Sequence, residues 1–396
     1  MDEIEDVWAK IDRAAFLLES ERVLLDHAHR RVLAETALAR EDNPPFDQSA
    51  VDGYALSAID ETSFLCEEIT AHAGDAPQAV LRSGMARRVL TGGVVPSGTQ
   101  AIVMQEHCEL RDGRVFLNQP CKQGSFLRHA GAIWKKQDVI LEQNNQIDAA
   151  AIGLLAAAGV TAPSVRLQPR VVHWVTGNEL YRGDGPLPAG AIRDSNGPLL
   201  RALLDAAGAQ ITQYSLRDDG AALTASVTQA QADILIISGG AGHSERDHAR
   251  AALLGANFEI LIDGVNSRPG KPLIFGQKGS ALAFGLPGNP LSQWVCYHVF
   301  VKRALHRLLG LPVPELREAR LGSALRDRGD GRKSWQPARL TCGLDGLMAH
   351  PLAWQHSGDL TQLPQTDALI LAEGNAEWAS GELVKILPIS MIPSAR

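Results

Sequence analysis

The sequence predicts a multidomain α/β protein, with a parallel-sheet domain flanked by small, mostly-β domains and helices at the N-terminus. From about Pro169 onward, apolar strand-like runs alternate with amphipathic helical stretches, as in a parallel sheet covered by helices on both faces. On either side of that region, short β-type runs alternate with Gly, Pro and Asp turns. The chain has 396 residues, which at roughly 150 residues per domain is enough for two to four domains.

Helical periodicity marks the first 40 residues, where Val7, Ile11 and Leu17 are among the apolar positions, and it predicts two helices. We expect the similar pattern at 146–158 to pack back against them, which makes the β segment between them an insertion. The predicted domains are a helical N-terminal linker domain of residues 1–44 continued by 145–166, an inserted mostly-β domain of 45–144, an α/β domain of 167–312 and a C-terminal β domain of 313–396.

Composition favours a small-molecule partner. The net charge is −7 and the pI is about 6.0, so no global basic field attracts nucleic acid or an anionic membrane. The acidic, amphipathic N-terminus lacks the features of a secretory signal, and no apolar stretch reaches the ~18 residues that a membrane span needs. The five cysteines are scattered and form no C-x-x-C pair, which argues against disulfides and zinc. These features predict a cytoplasmic protein without nucleic-acid or membrane partners.

Glycine-rich loops follow three strands of the predicted sheet. They are residues 176–179, the Gly239-Gly240 turn and residues 285–290; a rigid Pro-Gly-Lys-Pro turn at 269–272 adds one cation. Each loop alone is consistent with a plain tight turn. Because the carboxyl ends of parallel strands meet at one edge, the loops together predict a phosphate- or oxyanion-binding edge.

Carboxylates accompany these loops. Glu179, Asp218 and Asp247 fall on the same predicted edge, and acids near bound phosphates commonly hold Mg²⁺. Helix capping by Asp247 and a solvated strand end at Asp218 are the alternative interpretations.

A family resemblance rests on motifs in a defined order. The motifs are PPFDQSAVDGYA, RVLTGGVVPSGTQAIVMQE, VTGNEL, IRDSNGPLLRALL, LRDD, SGG followed by ERD, RPGKPLIFG and FGLPGNPLS. In order and approximate spacing they resemble those of the molybdopterin molybdenumtransferases, the MoeA family, over roughly residues 5 to 390. The resemblance implies an elongated homodimer of four-domain subunits. It also implies insertion of molybdenum from molybdate into adenylylated molybdopterin, with Mg²⁺-dependent release of AMP.

The resemblance also implies functional residues. The catalytic positions match Asp52, Thr91, Glu179, Asp218, Asp247 and Lys271, of which Asp247, Asp218 and Glu179 would hold Mg²⁺. The oxyanion and pterin-phosphate loops match Ser238, Gly239, Gly240, Pro269, Gly270, Lys271, Pro272, Pro287, Gly288, Asn289, Pro290 and Ser292. In family dimers the positions of Asp52 and Thr91 approach the partner's sheet domain, which implies a shared active site.

Several positions depart from the family pattern and indicate a divergent member. The acidic G-E-D turn is Gly131-Ala132-Ile133 here, so one functional aspartate is absent. In the loop after the third strand, Gly242 replaces the usual serine and Ser244 the usual glycine, and TGDEL has become TGNEL. In the C-terminal domain, Pro337 stands where an arginine is common, with Arg339 two residues on. Retained, altered and lost activity all remain open on these departures.

Three functions therefore compete. The leading hypothesis is a molybdenum insertase. The alternatives are a molybdopterin adenylyltransferase, since those enzymes share the sheet domain, and a non-catalytic protein that binds or delivers molybdopterin species. Contact with a molybdopterin adenylyltransferase or with recipient molybdoenzymes is a further expectation.

Overall fold

The computed structural model describes residues 1–240, 248–327, 330–343 and 346–390. By its contacts the chain divides into two compact units. The larger unit comprises Met1–Glu21, Arg30–Val32 and Val165–Arg396, and the smaller unit comprises Arg22–His29 and Leu33–Ser164. Within the described ranges no helix has the length and apolar character needed to cross a membrane.

The described part of the chain contains seven α-helices and three short 3₁₀ helices. The α-helices are α1 (Ile4–Ala14), α2 (Ala149–Ala157), α3 (Asn196–Ala206), α4 (Gly220–Gln229), α5 (Ala249–Gly255), α6 (Pro290–Cys296) and α7 (Lys302–Leu309), and a π-helical turn, Tyr297–Val301, joins α6 to α7. The 3₁₀ helices are Leu25–His27, Gln105–His107 and Leu363–Gln365.

A six-stranded sheet forms the centre of the larger unit. Its strands are β1 (Arg170–Thr176), β2 (Gln210–Leu216), β3 (Ile234–Ser238), β4 (Glu259–Asp263), β5 (Ile274–Lys278) and β6 (Ala281–Leu286), in the spatial order β2-β1-β3-β6-β5-β4. Strands β2, β1, β3 and β6 pair in parallel, whereas β5 runs antiparallel to both of its neighbours. The predicted parallel sheet therefore holds for four strands, and a hairpin of β5 and β6 extends it.

Helices cover both faces of this sheet, as the continuous apolar strands predict. The side chains of β3 alternate between the faces: Ile234 and Ile236 lie in one core cluster with α1, α3, α6 and α7, while Leu235 and Ile237 lie in the other with α4 and α5. Since both faces of β3 are buried, the polar ends of the strands are left as the place where loops gather.

Helix α1 belongs to the larger unit, which differs from the expected N-terminal helical domain. Ile4, Val7 and Ile11 form its buried stripe within the core that also contains α7, and Trp8 Nε1 donates to the Val299 carbonyl at 2.9 Å. The second expected helix of the first 44 residues is only the Leu25–His27 turn. Helix α2 lies in the smaller unit, whereas α1 lies in the larger one. The periodicity of a helix shows which of its faces is buried but not which part of the chain covers that face. The four predicted domain boundaries stay a prediction.

The C-terminal strands close a small barrel. Their pairings form a ring of five strands, with a sixth, Ser267–Arg268, added at Lys333–Gly343. The ring strands, in order, are Lys333–Gly343, Gly346–Pro351, Arg317–Leu321, Leu383–Pro388 and Ala368–Ala372. Closure pairs the strand edges with one another, which fits the predicted β character of this region.

The smaller unit contains a second six-stranded sheet, as the alternation of β-type runs and turns predicts. The spatial order of its strands is Ala101–Met104, Gly53–Leu56, Met85–Val89, Ser63–Ala71, Arg114–Leu117 and Cys108–Arg111.

The remaining short strands are distributed over both units. They are Ser20–Arg22, Ala37–Leu38, Gln48–Ser49, Leu127–Arg128, Val139–Leu141, Ser164–Arg166, Leu180–Tyr181, Ile192–Arg193, Leu325–Arg326 and Glu377–Trp378.

An ion-pair network ties α1 to α7 and makes stability depend on pH. Asp12 accepts hydrogen bonds from Arg303 and Arg307 at 2.7–2.9 Å. Burial by itself raises the pKa of Asp12, but the hydrogen bonds from Arg307 and Arg303 outweigh it and lower that pKa to about 2. We expect Asp12→Asn to reduce the free energy of unfolding by about 1 kcal/mol at pH 7.

The sign follows from the lowered pKa. The folded carboxyl titrates below its unfolded value, so its contribution is present above about pH 4 and is lost as the pH falls toward 2. Urea unfolding of wild type and Asp12→Asn between pH 7 and pH 3 checks this, with Asp6→Asn on the exposed side of α1 as control. A difference between the two proteins that does not shrink with falling pH would contradict the assignment.

Candidate functional site

A cavity of about 680 Å³ lies at the carboxyl ends of the four parallel strands. Strands β1, β3 and β6 end at Thr176, Ser238 and Leu286, and the loops that follow them form its wall. The lining residues are Thr176, Gly177, Glu179, Leu180, Ile192, Arg193, Asp194, Ser195, Asn196, Asp218, Gly239, Gly240, Pro272, Pro287, Gly288, Asn289 and Pro290. The predicted binding edge is therefore a real concavity, and its loops meet there.

The turn after β3 depends on glycine. Gly239 and Gly240 have φ values of +89° and +65°, which side-chain-bearing residues rarely adopt. A Cβ on Gly239 would lie 2.8 Å from the Thr176 carbonyl oxygen. The missing side chain lets this turn pass directly over the end of β1, so that both strand ends face the same cavity.

A buried polar pair supports the turn from below. Ser238 Oγ lies 2.6 Å from His173 Nε2 on the neighbouring strand, and both residues are buried. Burial lowers the pKa of His173 to about 3, so the imidazole is neutral in the folded protein at pH 7. Ser238, predicted as a binding residue, thus lies beneath the cavity lining.

Two predicted acids reach the cavity, and Asn178 links their loops. Glu179 and Asp218 both line the cavity. The backbone amide of Asn178 donates to Asp218 Oδ2 at 3.2 Å, and the backbone amide of Asp218 donates to the Asn178 side-chain Oδ1 at 3.3 Å. Asp219 instead caps α4, accepting from the Ala221 and Ala222 amides.

The third predicted acid, Asp247, lies outside the described residues, as do Gly242 and Ser244 of the same loop. In the described ranges no three His, Cys, Asp or Glu side chains are grouped so that they could hold a metal ion. Glu179 and Asp218 therefore offer a pair of hard oxygen donors rather than a complete ligand set, since the third lining carboxylate, Asp194, is paired with Arg182.

The turn before α6 is fixed by Asn196, the first residue of α3. The Asn196 side-chain Nδ2 donates to the Gly288 carbonyl at 2.7 Å, and the Asn196 backbone carbonyl accepts from Gln293 Nε2 at 3.1 Å. Pro290 begins α6 at the cavity wall, as predicted. Ser292, in the first turn of α6, is buried and lies outside the lining.

Only the end of the Pro-Gly-Lys-Pro turn reaches the cavity. Pro272 lines it, whereas Lys271 is exposed outside the lining set. A Cβ on Gly270 would lie 3.0 Å from Cys296 Sγ, so the middle of the turn packs closely on α6. Pro269, like Gly270, lies outside the lining residues.

Sequence reasoning did not select the lining residues between 180 and 196. Asp194 is central among them: its side chain, 2% exposed, accepts from Arg182 Nε at 2.7 Å and from the Gly197 amide at 2.9 Å. An Asp-Ser-Asn triplet before an apolar helical run is a helix-start signal, and it was available in the sequence. That signal indicates a cap and does not say that the capped end faces a cavity.

The remaining predicted pair lies in the smaller unit. Both the amide and the Oγ1 hydroxyl of Thr91 donate to Asp52 Oδ1 at 2.8 Å. These hydrogen bonds hold the pKa of Asp52 below its usual range. The structure therefore brings Asp52 and Thr91 together as one anionic group.

The comparisons with known proteins cover nearly the whole chain. Residues 3–159 match the family described as "MoeA N-terminal region (domain I and II)". Residues 173–307 match the "Probable molybdopterin binding domain", and residues 318–389 match the "MoeA C-terminal region (domain IV)".

Individual relatives agree with these matches. A molybdopterin molybdenumtransferase of Nostoc sp. is 34% identical over 392 residues, covering 94% of this chain and 89% of the relative. The one of Haemophilus influenzae is 32% identical over 306 residues, 76% of each chain. The crystal structure of a molybdopterin biosynthesis MoeA protein from Pyrococcus horikosii superposes with a TM-score of 0.82 at 26% identity, covering 98% of this chain and 99% of that one.

Fold and site together define a multidomain protein of the molybdenum cofactor biosynthesis class, in which an α/β domain of the molybdopterin-binding type follows one β-rich region in the sequence and precedes another. Within that class, the chain belongs to the molybdopterin molybdenumtransferase (MoeA) family, whose members are transferases. The predicted family resemblance and the predicted enzyme class are confirmed.

The Gly239 turn yields a test of the site's construction. We expect Gly239→Ala to reduce the free energy of unfolding by about 2–3 kcal/mol, because the unfavourable φ adds to the close contact with the Thr176 carbonyl. Gly190→Ala is the matched control, since Gly190 also has a positive φ but open space around its Cβ. Thermal and urea unfolding measure both; equal losses would show that the close approach carries no cost.

Proposed function

We propose that this protein inserts molybdenum from molybdate into the dithiolene of adenylylated molybdopterin, with Mg²⁺-dependent release of AMP. One observation carries the proposal: glycine turns suited to anions and two carboxylates suited to a divalent cation line the same cavity at the strand ends. The names of the relatives support the same chemistry.

The anionic parts of the substrates need donors on the wall. The Gly239-Gly240 turn lines the cavity without side chains, and the Gly288–Pro290 turn follows the neighbouring strand β6 and lines it too. The Gly239 amide itself donates to the Leu286 carbonyl at 3.2 Å, which ties the two turns together. In this proposal the two turns hold phosphate and molybdate oxygens. The predicted Lys271 and Ser292 lie outside the lining, so they are assigned no direct contact with these oxygens. Positioning and electrostatics then carry most of the rate.

The donor set fits Mg²⁺. Glu179 and Asp218 present carboxylate oxygens, which Mg²⁺ prefers, and the predicted Asp247 would join them. Bound Mg²⁺ supplies neutralising charge to the phosphoanhydride. The Asn178 amide that donates to Asp218 holds this carboxylate at the cavity wall.

Asp52 and Thr91 fit the proposal if the enzyme is a homodimer with a shared site, as the family resemblance implies. The backbone amide and the hydroxyl of Thr91 already donate to Asp52 Oδ1, and the lowered pKa keeps Asp52 ionised at neutral pH. A pre-formed anionic group of this kind is suited to act on a site completed by another subunit.

Removing the carboxylate of Glu179 or of Asp218 is the direct test. We expect Glu179→Gln and Asp218→Asn each to slow single-turnover AMP release and molybdenum incorporation by about 10²-fold, because a charge-positioning group is lost. The assay follows AMP and protein-bound molybdenum together after mixing with adenylylated molybdopterin, molybdate and Mg²⁺. Asp184→Asn, an exposed acid outside the lining, is the matched control.

The same assay separates the competing functions. AMP release that requires molybdate, with molybdenum retained, supports the insertase. Tight retention of adenylylated molybdopterin without either signal points to the binding protein, and molybdopterin-dependent ATP consumption points to the adenylyltransferase.

A mixing experiment tests the shared site. Asp52→Ala and Asp218→Asn subunits are each expected to be inactive alone. If a site takes Asp52 from one subunit and Asp218 from the other, half of the dimers formed on exchange are mixed and each has one intact site, so about a quarter of wild-type activity returns. No recovery despite demonstrated subunit exchange would mean that both residues serve a site within one subunit. An Asp52→Ala protein that is active alone would mean that Asp52 has no role.

A further inference from the structure

Two aliphatic side chains stand out in the cavity wall. Leu180 and Ile192 are the aliphatic members of a described lining that otherwise consists of glycine, proline and polar or charged residues. They belong to a pair of two-residue parallel strands in which Leu180 is directly opposite Ile192. Residues opposite one another in paired strands share a face, so the two side chains form one continuous surface, the Leu180–Ile192 wall.

This wall is exposed despite its composition. Ile192 is 54% exposed, and Leu180 is half-buried. The Leu180 Cγ lies 2.9 Å from the position that a Cβ on Gly177 would occupy. An isolated exposed aliphatic residue needs no explanation, but an apolar surface inside a polar concavity is typical of a ligand-binding site.

The residues next to Leu180 and Ile192 in the two strands brace the wall. The Arg193 guanidinium lies 5.0 Å from the centroid of the Tyr181 ring and donates to the Gly183 and Gly185 carbonyls. Arg182, between the two strands in sequence, pairs with Asp194, which caps α3. These contacts hold the wall in place before any ligand arrives, which lowers the entropic cost of binding.

The chemistry of the wall differs from that of the rest of the cavity. Glycine turns and carboxylates suit phosphates and cations, and they gain nothing from aliphatic neighbours. A flat aliphatic surface beside them complements the face of a planar ring, whose apolar area is removed from water on contact.

We propose that the Leu180–Ile192 wall binds the face of the planar heteroaromatic ring carried by a phosphorylated substrate, either adenine or pterin. The inference rests on the proposed function for the choice of rings, and it assigns these two side chains a role in ring recognition. The phosphate of the same ligand then reaches the glycine turns across the cavity.

The test compares ligands with and without a ring. Binding of AMP, a pterin monophosphate and ribose 5-phosphate to the full chain is measured by titration calorimetry for wild type, Ile192→Ser and Ile192→Val. We expect Ile192→Ser to weaken binding of the ring-bearing ligand about tenfold and to leave ribose 5-phosphate unchanged, while Ile192→Val weakens the ring-bearing ligand less than threefold. The ligand that loses affinity identifies the ring, adenine or pterin.

Leu187→Ser is the matched control. Leu187 is 45% exposed on the same excursion between β1 and α3 but lies outside the lining, so its substitution is expected to change none of the three affinities. Equal weakening of all three ligands by Ile192→Ser, or no weakening of any, would overturn the wall's role while leaving the proposed function intact. Absence of binding by wild type to both ring-bearing ligands would overturn both.

Discussion

The close approach of Gly239 to the Thr176 carbonyl is the constraint on which the site depends. Parallel pairing of β1 and β3 places Val175 beside Ser238, so the chain must turn away from both strand ends in very little space. Only glycine fits at this position, because a Cβ on residue 239 would lie 2.8 Å from the Thr176 carbonyl oxygen. In the core beneath the turn, the neutral His173 is hydrogen-bonded to Ser238, the residue directly before Gly239, and so fixes the start of that turn.

The loops around the cavity are joined to one another as well as to the sheet. Asn178 and Asp218 exchange two hydrogen bonds between the loops after β1 and β2, and Asn196 joins the start of α3 to Gly288. In each link a short polar side chain is hydrogen-bonded to a backbone group, which fixes a loop that has no regular backbone hydrogen bonding of its own. A wall built this way is polar by construction, which is why the aliphatic surface of Leu180 and Ile192 contrasts with it.

The departures from the family motifs differ in their physical meaning. Asn178, in place of the usual aspartate, still accepts a hydrogen bond through Oδ1 but removes one negative charge from beside Asp218. Ile133, where an aspartate is expected, is 67% exposed and supplies no charge. Pro337 is buried in a barrel strand while Arg339 is exposed, so a basic group persists two residues along. Both acidic departures make the chain less negative at positions that the family resemblance associates with function.

Local sequence determined the four parallel strands of the larger unit, the glycine turns at their ends and the acids that follow them. Apolar runs, positive-φ turns and strand-end carboxylates are properties of a few consecutive residues. Only the tertiary structure decided which predicted residues face the cavity. Gly239 and Pro272 do, whereas their neighbours Ser238 and Lys271 lie outside the lining, since the chain changes direction from one residue to the next at a strand end or a tight turn.

Partners distant in the chain were also decided only by packing. The apolar stripe on α1 predicted a buried face. The packing of α1 against α7 follows instead from the shape of a core that includes residues almost 300 positions away. Leu180 and Ile192 lie in two-residue strands that carry no periodic signal, so their shared surface exists only once the excursion between them has folded back. Sequence patterns report what a segment needs to bury or expose; which surface meets that need is a property of the whole fold.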